Sequence, residues 1–526
     1  MKIKHVSPQR LKAMLHDGAE LALLDVREAG QFGESHLLFA TPLPYSRLEL
    51  EIGALVPRKS ARIVLCDDGE TGVAELAAKR LEALGYNDVA ALQGGTHAWT
   101  AAGYGLFAGV NVPSKLFGEL VEHEYHTPRV TVTELMKMKE AHEDFVIVDG
   151  RPYAEYNKMN IPGGVCCPNA ELPYRIREIV RNPKTRIIVN CAGRTRSIMG
   201  AQTLINFGVP NPVYALENGT QGWVLADLEL ERGASRRYPD AVDPAAVPSL
   251  QAQAQTLSER HGVKTASASD LGAWQRDAQR TTYLLDVRTP EEFKAGSLPG
   301  AVHAPGGQLI QATDQWVGVR NARIVLIDSE GVRAPVVASW LKQLGCEVYV
   351  LADGIRADVK AALPAQPELP QLSGISATEL EHDLDASACT VFDLGPSMSF
   401  RQAHVPGSRW SIRSRLAHDA HNAQGSIVLV TNEPGVARVA AIDLLDAGLK
   451  DLRVLEGGLT AWRAAGFSTE ASAQVPPDNE CIDYLFFVHD RHAGNRDAMK
   501  QYLAWETGLI AQLDDEDKKL FRVGVV

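Results

Sequence analysis

Short runs of apolar residues, each interrupted by one aspartate, recur along the chain as Leu23-Leu24-Asp25-Val26, Ile147-Val148-Asp149, Leu284-Leu285-Asp286-Val287 and Val391-Phe392-Asp393. Some forty residues after each comes a second run: Ile63-Val64-Leu65, Ile187-Ile188-Val189, Ile324-Val325-Leu326 and Ile427-Val428-Leu429. Continuous apolar runs without polar alternation are the mark of strands buried on both faces of a parallel sheet. A helical stretch then leads to a glycine suited to a helix C-cap, namely Gly85, Gly208, Gly345 and Gly448. A further short strand and turn close each unit at Leu92-Gln93-Gly94-Gly95, Leu216-Glu217-Asn218-Gly219, Leu351-Ala352-Asp353-Gly354 and Leu455-Glu456-Gly457-Gly458. Trp99, Trp223 and Trp462 follow three of these turns, and the third unit lacks its tryptophan.

Four repeats of this size are too large for a solenoid and large enough to fold as separate domains. The fold class expected is α/β, each domain a mainly parallel sheet with helices on both faces, followed by a partly helical C-terminal tail. The expected domains are 1–112, 113–237, 264–368 and 369–475, with a linker at 238–263 between two pairs and a tail at 476–526. The stretch Pro364–Pro370 marks the last inter-repeat boundary. In the tail a helix is expected from Asn495 to about Asp514, packed on a domain because Tyr502, Leu503, Trp505, Leu509 and Leu513 need cover.

Bulk properties narrow the function. The 526 residues carry a net charge of -12, which disfavours nucleic acid and anionic membrane surfaces as partners. No apolar run is long enough to span a bilayer, and the N-terminus lacks the apolar segment of a secretory signal. Seven scattered cysteines without Cys-x-x-Cys spacing imply no metal site and a reducing cytoplasm.

The chemistry concentrates in Cys191-Ala192-Gly193-Arg194-Thr195-Arg196-Ser197, between a buried strand and a helix start. Unpaired N–H groups and the positive end of a helix dipole favour a thiolate and hold an anion beside it. Cysteine is more often an inert core residue, but a glycine and two arginines are poor core material. Arg194 and Arg196 are expected to face the bound anion; the alternative is that one of them pairs with a carboxylate and fixes the loop. Asp149 and Arg151 are expected to form a supporting ion pair near the site.

These features together resemble the rhodanese family of sulfurtransferases: the Asp-Val-Arg strand, the Ile161-Pro162-Gly163-Gly164 and Leu298-Pro299-Gly300-Ala301 turns, the Cys191 loop, and the Gly-Gly-x-x-x-Trp close. The resemblance covers nearly the whole chain as four tandem domains. It implies a ping-pong reaction in which Cys191 takes the outer sulfur of a small anionic donor and passes it to a thiol or cyanide. Residues 192–197 would bind the donor, no cofactor would be needed, and an oligomer is possible. Basic loop residues favour thiosulfate over 3-mercaptopyruvate, with a low-molecular-weight persulfide left open. A phosphatase of the dual-specificity type shares the fold but needs a loop one residue wider. A largely non-catalytic scaffold is the remaining alternative.

The other loops look inactive. Cys191 precedes Gly208 by 17 residues; at that distance the third and fourth repeats place Asp328 and Thr431. Cys66 lies 19 residues before Gly85, so that its loop is longer or Cys66 belongs to the strand end. Asp67, Asp68 and Glu70 would raise its pKa and repel an anion. Cys166 and Cys167 read as buried strand residues, with a resolving role as the alternative. Cys346, Cys389 and Cys481 read as structural.

Overall fold

The computed structural model describes residues 3–359, 367–489 and 494–524. Each repeat builds one five-stranded sheet, and all four sheets share one strand order. In the second repeat the order across the sheet is Arg129–Val130, Val213–Leu216, Arg186–Asn190, Phe145–Asp149 and Val165–Cys166, every neighbour parallel. The central strands are buried on both sides. Ile187 and Val189 pack on one face with Leu172, Ala201 and Leu204. Ile188 packs on the other with Leu135, Leu216 and Trp223. That is why the runs read as uninterrupted apolar segments: neither face meets water.

Local signals shape the helices between the strands. Thr131 opens Val132–Glu140 with a reciprocal cap, its hydroxyl accepting the Glu134 N–H while the Glu134 carboxylate reaches back. The helix Thr195–Phe207 ends on Gly208 at φ 83°, a left-handed turn that favours glycine. The closing tryptophans have a shared task. The Trp99, Trp223 and Trp462 indoles each donate to a backbone carbonyl six residues on, those of Gly105, Glu229 and Ser468. The third repeat has a single 3-10 turn, Gly354–Arg356, where the others have a helix.

The chain divides into two compact units, and their membership differs from the order of the sequence. One unit contains the first and fourth repeats with the tail to Phe486; the other contains the second and third repeats with the tail from Phe487. The expected grouping of first with second and third with fourth is therefore replaced by a nested one. In the first unit Arg413 of the fourth repeat donates to Glu49 at 2.9 Å and to the Tyr45 carbonyl at 3.0 Å, over the Tyr45 ring. In the second unit the Trp340 indole donates to Thr203 at 2.8 Å and Arg333 bonds Glu171 at 2.9 Å. The stretch 238–263, expected as a linker, contains the helix Val247–Arg260. Its Leu250, Ala254 and Leu257 are buried with Phe207, Val332 and Val336, because an amphipathic helix between two repeats gains most by filling the seam. Of the expected boundary Pro364–Pro370, residues 364–366 lie outside the described residues.

Candidate active site

Cys191 is the first residue after the strand Arg186–Asn190, and the helix Thr195–Phe207 begins four residues later. The loop between them is pinned from the opposite side. Gly219 lies so close that a Cβ there would stand 2.3 Å from the Cys191 carbonyl oxygen, and its φ of 51° is left-handed, so only glycine fits. Thr220 and Gln221 donate their N–H groups to the carbonyls of Cys191 and Ala192 at 2.8 and 3.1 Å. The turn Glu217-Asn218-Gly219 thus fixes the backbone that presents the cysteine.

Cys191 is buried, 2% exposed, and the Ser197 hydroxyl donates to its sulfur at 3.0 Å. Ser197 sits in the first turn of the helix, so the bond adds to the positive end of the helix dipole. Both place partial positive charge beside the sulfur.

The two loop arginines are engaged by carboxylates. Arg194 donates to both oxygens of Glu119 at 2.8 and 2.9 Å and also bonds Glu122. Arg196 makes a bidentate pair with Glu155, both bonds 2.8 Å. Burial works against these charges, and the carboxylates more than offset it, so both guanidinium pKa values rise. Both arginines therefore brace the loop through carboxylates, where the sequence reading expected both to face the bound anion, with pairing of one of them as the alternative. Arg196 is also near enough to the Cys191 sulfur to interact with it electrostatically.

Below the loop, Arg151 grips Asp149 through two bonds of 2.9 and 2.7 Å and donates to the Met159 carbonyl at 2.7 Å. Asn190, the residue before Cys191, donates to Asp149 at 3.0 Å. The pair therefore ties together the ends of two central strands. The same brace recurs as Asp25–Arg27 and Asp286–Arg288. The fourth repeat has Asp393 without the arginine, and burial raises its pKa to about 6.

The sheet register resolves the first repeat. Asp149 pairs with Asn190, Asp286 with Ile327 and Asp393 with Val430, so Cys191, Asp328 and Thr431 each follow the paired residue. Asp25 pairs with Cys66. Asp67, not Cys66, is therefore the counterpart of Cys191, and Cys66 belongs to the strand end. Burial pushes the Cys66 thiol well up, with Asp25, Asp67 and Asp68 adding to the effect. The aspartates bond the loop amides themselves. Asp67 accepts the N–H groups of Gly69 and Ala74 at 2.8 and 3.0 Å. Asp328 accepts those of Gly331, Val332 and Ala334, all at 2.9 Å. In these two repeats a resident carboxylate fills the cradle of amides that the helix N-terminus offers to an anion.

Cys166 and Cys167 are buried, and burial pushes the Cys166 thiol up to about 12. Arg175 is held by Glu171 and by the carbonyls of Pro239 and Asp240. Arg177 bonds Gln253 at 2.9 Å. Sequence reasoning missed Lys115 and Glu506. The Thr195 hydroxyl donates to Glu506 at 2.5 Å, and Lys115 lies 3.7 Å from the same carboxylate. Glu506 is 311 positions from Thr195, so no local pattern could announce it. Among the described residues no cluster of three or more His, Cys, Asp or Glu is arranged to hold a metal ion, and no helix is long and apolar enough to cross a membrane.

Four sheets of one topology, with a cysteine loop at the carboxyl end of a central strand, define a tandem rhodanese-type protein. The family model for the rhodanese-like domain matches residues 7–102, 131–226, 267–361 and 376–465, and the chain belongs to that family. A solved structure similar over the whole length of both chains is the thiosulfate sulfurtransferase from Pseudomonas aeruginosa, 44% identical with a TM-score of 0.91. Single-domain similarity extends to the thiosulfate sulfurtransferase GlpE of Pseudoalteromonas translucida, 28% identical over 93 residues, 17% of this chain and 89% of that protein. The HTH-type transcriptional regulator Rv0324 of Mycobacterium tuberculosis is 32% identical over 111 residues, 21% of this chain; the match spans about half, 48%, of the regulator.

Proposed function

We propose that this chain is a thiosulfate sulfurtransferase that carries sulfur as a persulfide on Cys191. The observation that carries the reading is positional. Of the four register-equivalent loop residues, Asp67, Cys191, Asp328 and Thr431, only the cysteine has a sulfur nucleophile, and Ser197 donates to it at 3.0 Å. The whole-length likeness to the Pseudomonas aeruginosa sulfurtransferase supports the same donor.

In the proposed reaction the Cys191 thiolate attacks the outer sulfur of thiosulfate. A new S–S bond forms, the sulfur–sulfur bond of thiosulfate breaks, and sulfite leaves with the bonding electrons. The anionic persulfide is held by the Ser197 hydroxyl and by loop amides at the helix N-terminus. Cyanide or a thiolate then attacks the outer sulfur, and thiocyanate or a new persulfide departs as Cys191 regains its thiolate. No net proton transfer is required, which fits a sulfur that, among the described residues, is bonded by the Ser197 hydroxyl and by no histidine or carboxylate. The other three repeats serve as non-catalytic structural modules, and the chain acts in the cytoplasm on small anionic donors.

The test is intact mass after incubation with thiosulfate, then with cyanide. Wild type gains one sulfur atom that cyanide removes, and Cys191→Ser gains none. Equal gain by the variant would move the chemistry to another cysteine; no gain by either would reject thiosulfate and favour another donor or the scaffold reading.

A further inference from the structure

The tail helix Arg496–Thr507 belongs to the same compact unit as the Cys191 loop and carries a buried acid onto it. Glu506 is 1% exposed. One of its oxygens accepts from the Thr195 hydroxyl at 2.5 Å and from the Thr195 N–H at 3.4 Å. The other oxygen has no hydrogen-bond donor among the described residues and would lie 3.3 Å from a Cβ placed on Gly193. The carboxylate therefore spans the loop from Gly193 to Thr195. Lys115 lies 3.7 Å from it and is bonded to Tyr502, one helical turn earlier on the same helix, at 2.5 Å.

The third repeat explains what such a carboxylate does. Thr195 stands four residues after Cys191, as Val332 stands four after Asp328, and the Val332 N–H binds the Asp328 carboxylate at 2.9 Å. The same amide of the anion cradle thus takes a resident carboxylate in one repeat and a carboxylate from the tail in the other. The tail version holds the amide less closely, at 3.4 Å against 2.9 Å, makes its short bond to the Thr195 hydroxyl instead, and leaves one oxygen without a donor among the described residues.

We propose that Glu506 is a specificity-determining residue of the Cys191 site, an internal anion that competes with anionic donors for the Thr195 amide and Lys115. A neutral reagent meets no such competition. An anionic donor exchanges with Glu506, and Lys115 then neutralises the incoming anion. The inference rests on Cys191 being the reacting sulfur.

Alkylation of Cys191 in the full chain, located by peptide mass, tests this without any sulfur donor. The probes are iodoacetamide, neutral, and iodoacetate, anionic. Replacing the charge in Glu506→Gln should lower the iodoacetamide-to-iodoacetate rate ratio at least fivefold. Glu506→Asp keeps the charge and should retain at least half of the wild-type ratio. An unchanged ratio in Glu506→Gln, or equal acceleration by both reagents, would overturn the proposal, the latter by showing only a steric cover. A ratio that falls as strongly in Glu506→Asp as in Glu506→Gln would also overturn it, since charge would not be the cause. Failure to take sulfur from thiosulfate with the alkylation pattern as expected would count against the proposed function and leave this assignment standing.

Discussion

The Ser197 hydroxyl donates to the Cys191 sulfur across one turn of loop, six residues apart in sequence and 3.0 Å apart in space. Hydrogen bonds to an ionised group are roughly twice as strong as those between neutral ones, so in the proposed reaction this bond would hold the anionic persulfide. Ser197→Ala keeps the helix and removes the donor. Sulfur uptake from thiosulfate should slow by about 10-fold, the loss of roughly 1.4 kcal/mol from one charge-assisted bond. Stopped-time mass analysis reads the rate; a change below twofold would remove Ser197 from the chemistry.

The Asp328 carboxylate holds three loop amides in the third repeat, a structural use of the cradle. Asp328→Ala leaves those amides unpaired in a buried loop and should cost about 3 kcal/mol. Cys191→Ala leaves those backbone amides in place and loses only the bond from the Ser197 hydroxyl and one small buried group, so it should cost less, about 1–2 kcal/mol. Thermal unfolding of the two variants compares them directly.

The buried Asp149–Arg151 pair makes a sharper case, since both side chains are almost wholly excluded from water. Removing one partner strands a charge, so Arg151→Met should destabilise by about 3–5 kcal/mol. Adding Asp149→Leu removes the stranded carboxylate and should recover part of the loss. A double variant less stable than Arg151→Met would contradict this account.

Asp393 occupies the corresponding place in the fourth repeat without an arginine, and burial raises its pKa from 3.8 to about 6 despite the Gly395 N–H and His404. A carboxyl with a raised folded pKa binds its proton more tightly when folded. Its stability is therefore greatest below pH 4 and is lost as pH climbs through 6. The penalty above pH 6 is on the order of 2–3 kcal/mol. Asp393→Asn should raise the thermal midpoint at pH 8 and leave it unchanged at pH 4.

The expected four-repeat α/β architecture agrees with the four parallel sheets, and the reason is local. A strand buried on both faces needs an unbroken apolar run, a helix needs a stop such as Gly208, and a close turn needs Gly219; each requirement is met within a few residues. The Cys191 loop was legible for the same reason, since a strand end, a glycine and a helix start lie within seven positions. Counting residues back from Gly85 blurred the first repeat by one place, and only strand pairing of Asp25 with Cys66 put Asp67 opposite Cys191.

The chain's own order of residues determined how many repeats there are, what sheet each contains and which loop sets a cysteine between a strand end and a helix start. Tertiary structure decided which repeats share a compact unit, that Arg194 and Arg196 are held by Glu119, Glu122 and Glu155, and that Glu506 rests on Thr195. Secondary structure and turns depend on neighbours in sequence, whose chemistry can be read in order. Charge partners are chosen by distance in space, and a buried arginine takes whichever carboxylate the packed helices bring to it.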